Sequence, residues 1–81
     1  MVGHVSPQHV ATLRNHLAVA NRHVAGGNRI VINQRQLVDQ LAADGHDTRD
    51  ARALLARFED LLALYLSDRD RLMHELRSAT S

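Results

Sequence analysis

The chain has 81 residues, of which 44% are hydrophobic and 23% are charged, and its only Phe and Tyr rings are Phe58 and Tyr65. This length fits a single domain with a small core, and such a domain often needs a partner or a covalent staple. The chain has no Cys, which excludes disulfides and argues against a structural zinc site. We therefore expect helix packing or oligomerisation to provide the stability.

The formal net charge is only +1, and all ten basic residues are Arg. No carboxylate precedes Asp39, whereas the second half of the chain is rich in acids. A basic half can bind an anionic partner, or it can face the acidic half of the same protein; we favour the second because no Arg cluster is dense. No apolar run is long enough to span a bilayer, and residues 1–9 do not resemble a signal peptide. We expect a cytoplasmic protein without a membrane partner.

Ser6 and Pro7 predict the start of a first helix, because Ser caps helices and Pro fits the first helical position. From there apolar positions recur at alternating steps of three and four residues, which is typical of a coiled-coil seam. We expect this helix to cover about residues 7–44. The seam consists of Val10, Leu13, Leu17, Ala20, Val24, Gly27, Val31, Gln34, Val38 and Leu41.

Two adjacent glycines, Gly26 and Gly27, leave the continuity of this helix open. Together they cost roughly 2 kcal/mol relative to Ala in a helix interior. One interpretation is that Gly26 ends the helix and Asn28 caps another, which would give the chain three helices in all. The other is a continuous, or kinked, helix, which the unbroken phase of the seam favours.

Gly45 predicts the end of the first helix, since glycine readily adopts the left-handed conformation of a helix cap. Asp47 or Thr48 is the expected cap of a second helix over about residues 48–77, and we expect Ser78–Ser81 to fray. The short connection predicts an antiparallel hairpin. A register centred on residue 46 would place Gly27 opposite Tyr65. It would also place Arg22 near Asp70.

The second helix carries two apolar stripes, and one partner helix covers only about one stripe. One stripe consists of Ala51, Leu54, Phe58, Leu61, Tyr65 and Leu72, and the other of Leu55, Leu62, Leu66, Met73 and Leu76. Asp68 is a candidate for an inward-facing ion pair beside the first stripe. Two hairpins that form a two-fold dimer would cover both stripes. We therefore predict an all-α antiparallel hairpin that dimerises into a four-helix bundle. The predicted core and dimer-interface residues are Leu55, Phe58, Leu62, Tyr65, Leu66, Met73, Leu76, Ile30 and Leu37.

Few polar residues stand out as candidates for function. Gln34 occupies a seam position, where a single polar residue typically specifies register, although a ligand contact is the alternative. His46 and Asp47 lie in the connection, where helix capping is the simpler role. His9, His16 and His23 recur every seven residues, and this spacing holds them roughly 10 Å apart, too far to share one metal ion. We expect no metal site, no cofactor and no catalytic residues.

Two histidine patterns are similar to phosphorelay proteins. The string from His74 to Arg77 resembles the phosphoacceptor box of sensor histidine kinases, and His23 with Gly27 faintly resembles a phosphotransfer domain. The first match covers four residues and lies on the second helix, whereas that family carries its box on the first helix. The second match lacks the Lys that the phosphotransfer pattern normally carries.

The chain from His23 to Leu76 resembles a family of small uncharacterised helical proteins common in alphaproteobacteria. The resemblance covers about two thirds of the chain, and Gly26 departs from it. It implies a helical hairpin and no activity. Its most specific part is Gly45-His46-Asp47-Thr48, and the other residues that carry it are His23-Val24, Gly27, Ile30, Gln34, Leu37, Leu41, Leu54-Leu55, Phe58-Glu59, Leu62 and Arg69-Asp70-Arg71-Leu72.

We predict a small non-catalytic, homodimeric helical interaction or adaptor module of a single domain, residues 1–81. Its expected partners are a second copy and, as a further option, another protein. The alternatives are a phosphorelay or signalling-associated domain, and a weak binder of anions or nucleic acid. Nucleic acid is not an expected partner, because the sequence shows neither helix-turn-helix spacing nor an aromatic stacking surface.

Overall fold

The computed structural model describes residues 6–80, which form two long helices joined by residues 44–48. Helix α1 covers Pro7–Ala43 and helix α2 covers Arg49–Thr80. The helices pack against each other along their length as an antiparallel hairpin, and the Cα atoms extend over 65 × 17 × 15 Å. No strand occurs among the described residues. The predicted all-α hairpin is confirmed.

Both ends of α1 form as the sequence predicts. The Ser6 hydroxyl accepts a hydrogen bond from the backbone N–H of His9 at 3.2 Å, and Pro7 is the first helical residue. At the other end, Gly45 has φ +76°, a conformation that side chains disfavour. The N–H of Gly45 donates to the Ala42 carbonyl and that of His46 to the Leu41 carbonyl. These two bonds are the pair that defines a Schellman cap.

The seam of α1 faces α2 over its whole predicted length. All of its predicted positions are buried or half-buried, and Gly26 is the only other residue of α1 that is not exposed. The end of the hairpin away from residues 44–48 is its open end. There Leu13, Ala20 and Leu72 form a buried cluster, against which Leu17, Leu76 and Ala79 pack. An aliphatic seam with alternating spacing of three and four therefore holds the hairpin together.

Helix α1 continues through Gly26 and Gly27, as the phase of the seam favours. Gly27 is buried, and a Cβ built on it would lie 3.2 Å from side-chain atoms of both Leu62 and Tyr65. The missing side chain thus makes room for the Tyr65 ring, which confirms the predicted placement of Gly27 opposite Tyr65. A Cβ built on Gly26 meets nothing within 4 Å, so only one of the two glycines is needed for packing.

The inner stripe of α2 differs from both predicted stripes. Except for Leu66, which is half-buried on one flank, the α2 residues that are not exposed recur at steps of four and three; Leu54, Leu61 and Asp68 are exposed. Leu62 and Tyr65 both face Gly27, so the inner stripe includes Leu62, three residues before Tyr65, and not Leu61. The inner stripe takes members from both predicted stripes and consists of Ala51, Leu55, Phe58, Leu62, Tyr65, Arg69, Leu72, Leu76 and Ala79.

Helix α2 extends beyond residue 77, so the expected fraying from Ser78 is wrong for the described residues. Ala79 packs against the buried cluster at the open end of the hairpin. The Thr80 hydroxyl donates a hydrogen bond to the Leu76 carbonyl at 2.9 Å. Tertiary packing and this bond extend the last turn; Ser81 lies outside the described residues.

The two glycines provide a matched pair of stability tests. Gly26→Ala should raise the free energy of unfolding by about 0.5–1 kcal/mol, because alanine favours helix and its Cβ meets no neighbour. Gly27→Ala should give a smaller gain than Gly26→Ala or a loss, since its Cβ would lie 3.2 Å from side-chain atoms of Leu62 and Tyr65, which must shift. Urea unfolding followed by circular dichroism at one protein concentration measures both. Equal effects at the two positions would contradict the packing of Tyr65 on Gly27.

Candidate functional site

One side of the hairpin carries a shallow groove between the two helices. His16, Val19 and His23 line it from α1, and Asp68 and Arg71 line it from α2. These five residues therefore lie on the same side of the seam. We call this side the open face and use its residues to assign others to it.

Residues that are displaced by whole heptads from these lining residues lie on the same side, because seven residues are close to two helical turns. Towards the connection, this rule places five aliphatic residues on the open face, beside the polar residues Asn33, Gln40, Asp50 and Arg57. The five aliphatic residues so placed are between 39% and 67% exposed. We call them the apolar half of the open face: Ile30, Leu37, Leu54, Leu61 and Leu64.

The rest of the open face, towards the open end of the hairpin, is its polar half. A second groove, lined by His9, His74, Glu75, Ser78 and Ala79, continues the first by one heptad. The polar half therefore contains His9, His16, His23, His74, Asp68, Arg71 and Glu75.

Arg71 organises the charges of the polar half. Its guanidinium donates to the Asp68 carboxylate at 2.7 Å and to the Glu75 carboxylate at 2.8 Å. These hydrogen bonds, first the one to Asp68 and then the one to Glu75, raise the pKa of Arg71. Each carboxylate is within one helical turn of the arginine, so the network belongs to α2 alone. It leaves the imidazoles of α1 beside a surface that carries both signs of charge.

The His23 ring contacts the Tyr65 ring, with a centroid distance of 5.0 Å and an interplanar angle of 31°. Tyr65 occupies the space that Gly27 leaves free. Tyr65 therefore contacts both Gly27 in the seam and His23 on the open face. Aromatic pairs with offset rings add modest stability beyond their buried area.

The opposite side of the hairpin carries an ion pair between the helices and a third groove. Arg35 donates to the Glu59 carboxylate at 3.0 Å, and a groove there is lined by residues that include Leu17, Met73 and Arg77. Arg22 and Asp70, which we expected to lie close together, form no ion pair within residues 6–80. The Asp70 carboxylate instead accepts a hydrogen bond from the guanidinium of its neighbour Arg69 at 3.3 Å. Exposed pairs of this kind contribute little to stability.

Arg69 occupies a position of the inner stripe between Tyr65 and Leu72, where the sequence has no apolar residue. Its Nε is buried without a hydrogen-bond partner, although its side chain is 31% exposed. Asp68, which we considered as the inward-facing residue, is exposed and bonded to Arg71. The heptad series of Leu55, Leu62 and Leu76, which passes through position 69, is the signal that identifies Arg69.

The residues predicted for the core or a dimer interface divide among three surfaces. Ile30 and Leu37 belong to the apolar half of the open face, and Leu66 and Met73 lie on the opposite side. The remainder belong to the seam within one chain: Leu55, Phe58, Leu62, Tyr65 and Leu76.

Gln34 ties the two helices together by a side-chain hydrogen bond. The residue is only 8% exposed, and its Nε2 donates to the Ala51 carbonyl at 2.9 Å. Ala51 lies in the first turn of α2, so the bond links the C-terminal part of α1 to the start of α2. The bond supports the predicted register role, since a slipped pairing would leave the buried amide unsatisfied.

Gln34→Ala should lower the free energy of unfolding by about 1–3 kcal/mol, because it removes a part-buried hydrogen bond and leaves a cavity where the Gln34 side chain packs. The control is Gln36→Ala, which changes an exposed residue of the same helix and should stay within about 0.5 kcal/mol of the parent chain. Chemical denaturation measures both. Similar losses for the two variants would exclude the register role of Gln34.

His46 and Asp47 lie in the connection and contribute to helix ends there. The His46 backbone N–H completes the Schellman cap of α1. The Asp47 carboxylate accepts from the backbone N–H of Arg49 at 3.0 Å and from its guanidinium at 2.7 Å. The Arg49 guanidinium, and then its backbone N–H, lower the pKa of the Asp47 carboxyl. The geometry supports capping for both residues.

The carboxyl pKa of Asp47 should rise in Arg49→Gln, while Arg57→Gln should leave it unchanged. A carboxyl whose pKa is depressed by folding stabilises the fold above its ordinary pKa. That contribution is lost as the pH falls through the lower, folded-state value. Carbon-detected NMR titration of the side-chain carboxyl measures the change. Identical titration curves in the parent and Arg49→Gln would contradict the pairing.

In the part of the chain that the structure describes, no three His, Asp or Glu side chains converge on a point where a metal ion could bind. Neither helix combines the length and the apolar character that crossing a membrane requires. The chain matches no protein-family model, and neither a curated protein nor a solved structure is significantly similar to it. The resemblance to the alphaproteobacterial helical proteins stays a prediction.

Proposed function

We propose that this chain is a non-catalytic helical module that forms a homodimer through its open face. The observation that carries the proposal is the apolar half of that face, where five large aliphatic side chains are exposed together. Soluble monomers seldom leave a large contiguous apolar patch in water. A second copy that covers it would complete a four-helix bundle.

The interior of one hairpin is small, which also favours association. Among the described residues, no side chain is completely buried. The chain exposes 6127 Å² of surface, roughly a quarter more than a compact monomer of its length. A standard interface buries about 800 Å² on each partner. One additional hairpin on the open face could therefore take up most of the excess.

A second copy suits this face better than an unrelated partner because the face is complementary to itself. Its apolar half needs an apolar surface, which the same half of another copy provides. Its polar half carries imidazoles on α1 and carboxylates with Arg71 on α2, so two copies present both signs of charge to each other. The proposal includes a cytoplasmic location and no bound cofactor.

The two alternatives stay hypotheses with less support. For a phosphorelay domain, His74 is exposed on α2, but its groove contains Glu75, whose charge disfavours a phosphate. For an anion binder, Arg14, Arg22 and Arg29 are exposed on α1 and form no ion pair within residues 6–80. They are spread over two helical repeats and form no dense patch.

Leu61→Glu tests the proposed dimer by placing a carboxylate in the apolar half. Each dimer contains two copies of the change, and each copy loses about 1.5 kcal/mol or more of apolar burial, so the dimer dissociation constant should rise at least about 100-fold. The matched control is Ala63→Glu. Ala63 lies two heptads before Arg77, on the opposite side of the hairpin, and this variant should dimerise like the parent chain.

Sedimentation equilibrium over a range of concentrations measures the dissociation constants, and circular dichroism reports helix content. If Leu61→Glu unfolds because the hairpin needs its partner, sedimentation of the parent chain still tests whether the protein is a dimer. A parent chain that sediments as a folded monomer at 100 μM would overturn the proposal. So would equal effects of the two substitutions.

A further inference from the structure

The open face is divided along its length, and this division determines how two copies can meet. Its apolar half lies towards the connection, with Leu37 and Leu54 nearest to it. Its polar half lies towards the open end of the hairpin, with His16, Asp68 and Glu75 among its members. A two-fold partner must match each half with a suitable half of the other copy.

Two-fold symmetry allows two ways of stacking the open faces. With the axis along the hairpin, both connections lie at the same end, and every level of one face meets the same level of the other. With the axis across the hairpin, the connections lie at opposite ends. Full overlap in that second arrangement would bring the apolar half of one copy against the polar half of the other.

The second arrangement has an unfavourable contact at each level. It would place the Asp68–Arg71–Glu75 network against the leucines of the partner. The network would lose hydration there, and the leucines offer no polar group in place of the water. Shifting the copies until only the apolar halves meet avoids that contact. The shift also gives up about half of the interface, which would then fall below the usual size of a stable one.

We infer that two copies associate through the open face in parallel, with their connections at the same end of a four-helix bundle. The inference rests on the proposed homodimer and specifies its arrangement. In it α1 lies beside α2 of the partner, so the apolar halves pack against each other. His23 then meets Asp68 of the second copy as well as that of its own chain. The inside of the bundle is therefore apolar near the connections and polar near the open end.

Spin labels at both ends of α1 distinguish the arrangements. The chain has no Cys, so Ala43→Cys labels the connection end and Asn15→Cys labels the open end; both positions are exposed. Helices in a bundle are about 10 Å apart. In the parallel arrangement, both labels should therefore lie within about 35 Å of their symmetry mates.

Either arrangement with opposed connections lengthens at least one distance. At 1.5 Å per residue, full overlap separates the labels at residue 43 by about 50 Å along the axis. The shifted overlap separates those at residue 15 by about 55 Å. Pulsed electron paramagnetic resonance measures both distances in this range.

Two short distances support the parallel bundle. A dimer with one or both distances above about 45 Å overturns it and leaves the proposed homodimer intact. A chain that sediments as a monomer removes the homodimer itself, so the two failures are distinguishable. As controls, each labelled variant must sediment like the parent chain, and adding Leu61→Glu should abolish both distances.

Discussion

The layer in which Gly27 receives Tyr65 determines the pairing of the two helices. A Cβ on Gly27 would lie 3.2 Å from both Leu62 and Tyr65, so the large ring fits at this level of α1 and not one turn away. Once this layer is set, alternating steps of three and four align the aliphatic side chains on either side of it. The buried cluster at the open end and the bond from Gln34 to Ala51 both follow this register.

The same register explains why the apolar residues of α2 divide among different surfaces. One α1 helix covers only one stripe, and the contact of both Leu62 and Tyr65 with Gly27 selects Leu62, and Leu55 one heptad before it. Leu54 and Leu61 then lie beside the seam, where they are exposed together with aliphatic residues of α1. The open face is thus a consequence of the intrachain pairing, and the proposed dimer follows from what that pairing leaves uncovered.

Arg69 shows how the seam accepts a residue that the hydrophobic pattern excludes. It lies between Tyr65 and Leu72 in the inner stripe, and its Nε is buried without a partner. A long Arg side chain can bury its methylene groups while its charged end reaches water. A polar seam position costs stability, and such positions commonly favour one pairing over its competitors.

The two helices and their ends can be predicted from local sequence features. Ser6, Pro7 and Gly45 specify the ends of α1 through local hydrogen bonding and backbone conformation, and the spacing of its apolar residues specifies which side is buried. Such features depend on neighbours within a few residues, so they can be predicted without the fold.

Which residues of α2 face α1, and which form its exposed surfaces, depends on how the two helices pack against each other. Both apolar stripes of α2 satisfy helical periodicity, and the choice between their members depends on the shape of Gly27 and Tyr65 across the interface. The positions of Arg69, of the Arg71 network and of the apolar half of the open face follow from that choice. Periodicity describes one helix at a time, whereas packing compares the shapes of two.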